Sequence, residues 1–216
     1  MTISIETLIQ QVCTLIDEVK HESEAEDFST DLEKEIRHSI ILAAQKMKRD
    51  LGRQFLLPIK WEASLAFGDD GSGIATMPGD FGTLVEFRLK GWKQGVTDLI
   101  EPGSIEAKQQ MHPWTRGSAS KPVAMVELSQ DGAKNVLRYW SAPKGKNGYS
   151  HVLDKFEYLP VIDEQTTSLP ITDEAYDLLL YQSASLLMLS KGETQMAEQL
   201  ASMGTLQTTQ QVTQAD

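Results

Sequence analysis

One cysteine, four histidines and no apolar run approaching the roughly 18 residues of a membrane-spanning helix limit what this 216-residue chain can be. Cys13 alone cannot form an intramolecular disulfide or a multi-cysteine zinc site, and on an apolar helical stripe it reads as a small buried hydrophobe. His21, His38, His112 and His151 form no HxxxH, HxH or HExxH arrangement, so no pair sits on adjacent helical turns and no metal site is expected. The sequence also has no GxSxG elbow, no phosphate-cradling GxxxxGK[ST] and no GxGxxG. Asp80, His151 and Asp154 with a serine make a hydrolytic triad only on paper, as such residues do in any chain this long. The glycines and carboxylates of GDDGSG (68–73) are too few and wrongly spaced for a calcium loop and read as a hairpin turn. No catalytic residue, cofactor or enzymatic activity is expected.

Basic residues are scarce where acidic ones are not. The net charge is −11, and residues 1–52 carry 11 acidic and 6 basic side chains, 53–162 carry 12 and 13, and 163–216 carry 8 and 1. The segment charges are −5, +1 and −7. Acidity therefore belongs to the two ends, and a general affinity for phosphate backbones is disfavoured. The opening stretch MTISIETLIQQVCTL has no basic n-region, so no cleaved signal and folding in a cytoplasm are expected. At 24.0 kDa the chain can bury a core of its own, and one unit of two layers is expected.

What is present is clear periodicity. Ile5, Leu8, Ile9, Val12, Leu15, Ile16 and Val19 recur every three or four residues, which predicts a helix over 4–20. After the polar HESEAEDFS, Thr30 and Glu33 have capping-box form, and a second helix follows through Ile36, Ile40, Ala43, Met47 and Leu51 to Gly52. The period then changes: Trp61, Ala63, Leu65 and Phe67 alternate with smaller or polar residues before GDDGSG. Further strands are predicted at 74–77, 84–90, 122–128, 135–140 and 149–159, the pair 122–128 and 135–140 joined by an Asp131-Gly132 hairpin turn. Between 97 and 117 the pattern allows a short helix over 102–111 and an irregular HPWTRGS loop.

The last apolar block is helical. Thr172 is placed to cap a helix carrying Leu178, Leu179, Tyr181, Ala184, Leu186, Leu187 and Leu189, which Lys191-Gly192 ends. A second, more polar helix is predicted over 193–203, then a polar tail.

The fold expected from these elements is α+β: an N-terminal helical hairpin (1–52), a central antiparallel β-rich region (53–162), and a C-terminal helical hairpin (163–204) that packs on the N-terminal helices as a bundle. Residues 205–216 are expected to be a flexible tail, because TLQTTQQVTQAD has too little apolar surface to offset the entropy of ordering.

Two surface features stand apart. Lys144, Lys146 and Lys155 near Trp140 and Tyr149 form a basic-aromatic cluster that reads first as a solubilising turn and second as a phosphate contact. Trp92, Met111 and Trp114 lie in irregular stretches. Trp92 reads as core; Met111, Trp114 and Arg116 suit a subunit interface.

In order, the helical hairpin, the β-rich middle opening with MPGDF, the strand pair PVAMVEL and LRYWSAP, and the closing LPITDEAYDLLLYQSASLLMLSKGETQMAEQLASM resemble the head-tail connector or adaptor proteins of tailed bacteriophages. The resemblance covers roughly Gln45 to Leu206, with Thr97 to Gly117 as an insertion. It implies a structural virion protein assembled in the host cytoplasm: one wedge of a ring, a dodecamer matching the portal, at the neck of the virion. The implied partners are the portal protein, neighbouring copies of the chain, a downstream neck or tail protein, and genomic DNA passing without sequence-specific binding; no membrane is implied. The segment Met203 to Asp216 would drape over the portal, making Met203, Leu206 and Val212 interface candidates beside Met111, Trp114 and Arg116. Alternatives are another neck or tail-completion ring protein, an adaptor unrelated to phages, and a small α+β enzyme or ligand-binding domain with a polar pocket near His112 or His151.

Overall fold

The computed structural model describes residues 1–20, 30–112, 114–128, 135–146 and 148–214, without the side chains of 17–20, 30 and 205–214. His21, the 21–29 connection, the Thr30 side chain and the Asp131-Gly132 turn lie outside the described residues. The fold is mixed α+β with antiparallel sheets. In order, it comprises β1 (Thr2–Ser4), α1 (Ile5–Lys20), α2 (Thr30–Leu51), a 3-10 turn (Gly52–Gln54), β2 (Ile59–Lys60), β3 (Leu65–Phe67), β4 (Gly73–Thr76), β5 (Phe81–Leu89) and α3 (Ile105–Gln110). Then come β6 (Val123–Leu128), β7 (Asn135–Trp140), β8 (Lys144–Gly145), β9 (Gly148–Tyr149), β10 (Leu153–Pro160), β11 (Ser168–Pro170), α4 (Glu174–Ser190) and α5 (Thr194–Gln214).

Instead of the single unit expected from size, the chain forms two compact units, Met1–Leu57 with Ile162–Asp216, and Pro58–Val161. The division follows from packing: the strands of the second unit close an aromatic core of their own.

In the first unit, Ile5, Leu8, Val12 and Ile16 of α1 and Ile36, Ile40, Ala43 and Met47 of α2 are buried, as the helical spacing predicts. Cys13 is only half-buried. Asp31 and Glu33 in the first turn of α2 and Lys48 and Arg49 in the last complement the helix dipole. The helix α4 packs on α1, α2 and α5. Small residues make the α4–α5 approach close: Ser185 Oγ donates to the Ala197 carbonyl at 2.8 Å, and a Cβ on Gly204 would lie 3.0 Å from Tyr181 Cβ. α4 ends as expected. Gly192 takes φ +81°, Gly192 N–H donates to Leu189 O and Glu193 N–H to Met188 O, the paired bonds of a Schellman cap.

Two expectations are corrected and one pairing is new. Thr172 does not cap α4; its hydroxyl donates to the Gln54 carbonyl at 2.8 Å, and Asp173 occupies the cap position without a side-chain cap bond. β1 and β11, unforeseen, pair antiparallel with Ile3 opposite Leu169, because two short extended pieces flanking helices satisfy each other's backbone groups. And α5 continues past Met203 to Gln214, since Gln is a good helix former and no proline interrupts the stretch.

The second unit holds a three-stranded sheet in the order β2-β10-β5 and a four-stranded one in the order β3-β4-β7-β6. Between them Phe87 of β5 lies 5.4 Å from the rings of Tyr139 and Phe156 and 5.6 Å from Trp92, centroid to centroid. Trp92 is buried, as read from the sequence, and its indole donates to the Ser141 carbonyl at 2.9 Å. The run 61–67 is not one strand: β2 and β3 flank an irregular 61–64, where Trp61 Nε1 donates to Thr76 O and Thr76 Oγ1 accepts from Ser64 N–H.

Candidate functional site

The segments that carry the unit's exposed aromatic residues converge on the turn 68–72, between β3 and β4. Asp70 organises that turn locally, accepting from the Ser72 hydroxyl at 2.6 Å and its N–H at 3.0 Å. Arg116 then fastens a second loop to it, one guanidinium nitrogen donating to the Asp70 carbonyl at 3.1 Å and carboxylate at 3.0 Å. The Ser72 hydroxyl bond, aided by Arg116, holds the Asp70 carboxyl down at about 2 against the opposing effect of burial.

From the other side, the Tyr149 ring covers Gly71: a Cβ there would stand 2.7 Å from Tyr149 Cε1. Gly71 has φ +81° and its carbonyl accepts from Ala142 N–H at 3.0 Å, so both backbone and space require glycine. Ser141, just before, is held at φ +80°, a left-handed conformation that costs a non-glycine residue about 1–3 kcal/mol and persists only when its surroundings fix it. Here the fixing bonds are those of Trp92 to its carbonyl and of Ala142 to Gly71.

Beside the turn, His151 is stacked under Phe67 at 4.4 Å and 6°. Its Nδ1 lies 2.8 Å from the hydroxyl of Tyr139, while Nε2 is buried with no partner. Burial raises the Tyr139 hydroxyl to about 12 and lowers His151, an effect that Asp70 partly opposes. Because a protonated His151 would bury a second N–H without an acceptor, the neutral ring is the form this site accepts. The sign follows: above its ordinary 6.5 the histidine contributes no pH dependence. Below it the unfolded chain takes up a proton first, and stability falls until the depressed folded value is passed. Denaturation of the protein and of His151→Gln between pH 7 and 5 is expected to show a steeper acid loss in the parent. The Asp70 contribution is lost only at more acid pH, as its carboxyl is protonated near 2, so the two windows separate.

The interface candidates divide. Trp114 is 97% exposed and Met111 61%, both close in sequence to Arg116, which anchors their loop. Ile105 on α3 is also exposed, and Met203 lies exposed on α5 of the other unit. Leu206 and Val212 lie in α5, their side chains outside the described residues. Of the basic-aromatic cluster, Lys144 sits over the Tyr149 ring at 5.7 Å. Lys155 is diverted to Glu86 and Glu157, each at 2.9 Å, and Trp140 is buried. The paper triad is not assembled: Asp80 accepts from Tyr158 at 2.8 Å, Asp154 pairs with Arg88 at 3.4 Å, and His151 faces Tyr139. His38 lies 2.7 Å from Glu164 on the surface, and among the described residues no three His, Cys, Asp or Glu side chains group to hold a metal. No helix among them is long and apolar enough to cross a membrane.

No family model matches the sequence, and no curated protein matches it.

The sequence reading missed Phe67 and His151 as surface partners. Trp61, Ala63 and Leu65 pack on the core as their alternation predicts, but Phe67, last before the turn, is 64% exposed. The signal was available in its position: a strand's last residue before a glycine-rich turn has no core left to face.

Proposed function

We propose that the chain is a structural virion protein, a head-tail connector or adaptor of a tailed bacteriophage that forms a ring beneath the portal, extends the DNA channel and docks the tail. The observation that supports assembly over a free monomer is Trp114, almost wholly in solvent on a loop fixed by the Arg116–Asp70 pair. An exposed indole on a rigid loop costs little entropy to bury and is a typical anchor of protein contacts. The order of elements supports the family, as its sequence motifs do: helices at both ends as a bundle, antiparallel strands between.

The charge partition fits a conduit. The unit Met1–Leu57 with Ile162–Asp216 holds 19 acidic and 8 basic residues, and Pro58–Val161 holds 12 of each, so the first unit carries the whole −11. A wall of carboxylates lets duplex DNA slide without adhering. In this reading α5 beyond Met203 docks on the portal, and neighbouring copies close the ring in the virion neck.

Light scattering of the protein alone and mixed with its cognate portal tests this. The expected result is a portal complex holding about twelve copies, lost on deletion of 203–216. A protein indifferent to the portal would move the assignment to another neck or tail-completion ring.

A further inference from the structure

We infer that His151 is an acid-released latch: the neutral ring sits between Tyr139 and Phe67 and holds the surface beside the 68–72 turn in shape, and protonation drives it out into solvent and frees Phe67. The device does not depend on the adaptor assignment.

The latched form has a defined geometry. His151 lies flat against Phe67 at 4.4 Å, and its Nδ1 meets the Tyr139 hydroxyl at 2.8 Å. Of the three rings, the histidine is the one free to leave. Tyr139 is fully buried and packed on Phe87 and Trp92, whereas His151 is only half-buried and Val152 beside it is exposed. Backbone bonds pin both neighbours: Ser150 N–H donates to Pro143 O at 2.8 Å, and Lys90 N–H donates to Val152 O at 2.8 Å. Release is therefore a swing of the His151 side chain and leaves the chain on either side in place.

The surrounding groups give protonation its effect. An imidazolium has two N–H donors. In the slot one of them can reach the Tyr139 oxygen, but Nε2 is buried with no partner, and only outside do both reach water. Tyr139, the residue that β7 sets against the ring, stays uncharged because burial raises its hydroxyl, and Phe67 from β3 carries no charge. From the turn, Asp70 attracts the cation, but its carboxylate already accepts from Ser72 and pairs with Arg116 at 3.0 Å. On the histidine's own segment Lys144 adds positive charge over Tyr149, and Asp154 is paired with Arg88. The released ring takes up its proton at the ordinary 6.5 and the latched ring only at lower pH, so acid favours release. Acid thus converts a stacked apolar surface into a loose Phe67 beside a cation.

The test is an NMR titration of the full chain from about pH 8 to about pH 5, for the parent, His151→Gln and Phe67→Ala. Phe67 is exposed and glutamine is neutral, so both variants keep the fold, which circular dichroism verifies. In the parent, the amides of 67–72 are expected to shift in one step with the His151 ring, below 6.5, as the ring-to-ring cross-peak between Phe67 and His151 disappears. Amides of Phe87 and Leu89, in the core of the unit, stay unchanged. Asp70 titrates near 2, outside this window, and steps belonging to His38 or His112 persist in His151→Gln, where the 67–72 step is lost. Removing the stack in Phe67→Ala is expected to raise the midpoint by roughly half to one pH unit. Protonation of His151 with the cross-peak retained overturns the inference, because the ring then titrates in its slot. So does a step that Phe87 and Leu89 share, which is unfolding of the whole unit, or the absence of any step before acid unfolding.

Discussion

Phe87→Ala is expected to destabilise the β unit by about 3–5 kcal/mol, the range for removing a fully buried aromatic side chain. Phe87 has no solvent exposure and stands on β5 in the three-stranded sheet, while Tyr139, 5.4 Å away, stands on β7 in the four-stranded one. Phe156 and Trp92 meet it edge to face at 5.4 and 5.6 Å. Deleting the ring therefore removes apolar burial, three aromatic contacts and the filler between two sheets at once. Collapse of the cavity is opposed by the partners' own ties, Trp92 to Ser141 O and Tyr139 to His151. Urea denaturation measures the loss, and Phe87→Leu should recover part of it because most of the volume returns. A cost under about 1 kcal/mol would mean that the sheets do not share this core.

The sequence showed most of what depends on local periodicity and little of what depends on distant partners. α1 and α2 could be read because their apolar spacing marks one buried face, α4 because apolar residues run along most of its circumference, and the pair β6 and β7 because they are short β-prone runs either side of a turn signal. β1 and β11 could not. Each is three residues long, and the bond that makes it a strand comes from a segment about 165 residues away. Thr172 shows the same limit: its residue type suits a cap, yet a nearby carbonyl, Gln54 O, took the hydroxyl instead.

At the candidate site the legible part was residue type. Met111, Trp114 and Arg116 stood out because an irregular, polar loop offers large side chains no core of its own. That Arg116 would be spent on Asp70, and that Tyr149 would lie on Gly71, required knowing which loops meet. Lys155 was misplaced for that reason; sequence neighbours suggested Tyr149, and the strand register put it beside Glu86 and Glu157. The convergence of three loops on one turn is a tertiary fact, and so is the surface it creates.

Gly73→Ala is expected to cost at least about 1–3 kcal/mol, through overpacking. Gly73 on β4 lies directly opposite Tyr139 on β7, and a Cβ at this position would overlap the tyrosine's hydroxyl and ring. The ring cannot swing aside. It is fully buried, packed against Phe87 and Trp92, and its hydroxyl meets His151. Backbone strain plays no part, because Gly73 has no positive φ. Alanine in a strand would otherwise gain about 0.5–1 kcal/mol over glycine. A double-mutant cycle with Tyr139→Leu separates the two effects: with the ring gone, Gly73→Ala should become neutral or stabilising. An equal cost in both backgrounds would place the requirement for glycine in the strand itself and not in the tyrosine laid across it. Relief by Tyr139→Leu would also show what holds the two interior strands of this sheet in form at Gly73. The ring that fills the space over Gly73 is the one that holds His151, and through it Phe67, at the surface from which the 68–72 face is built.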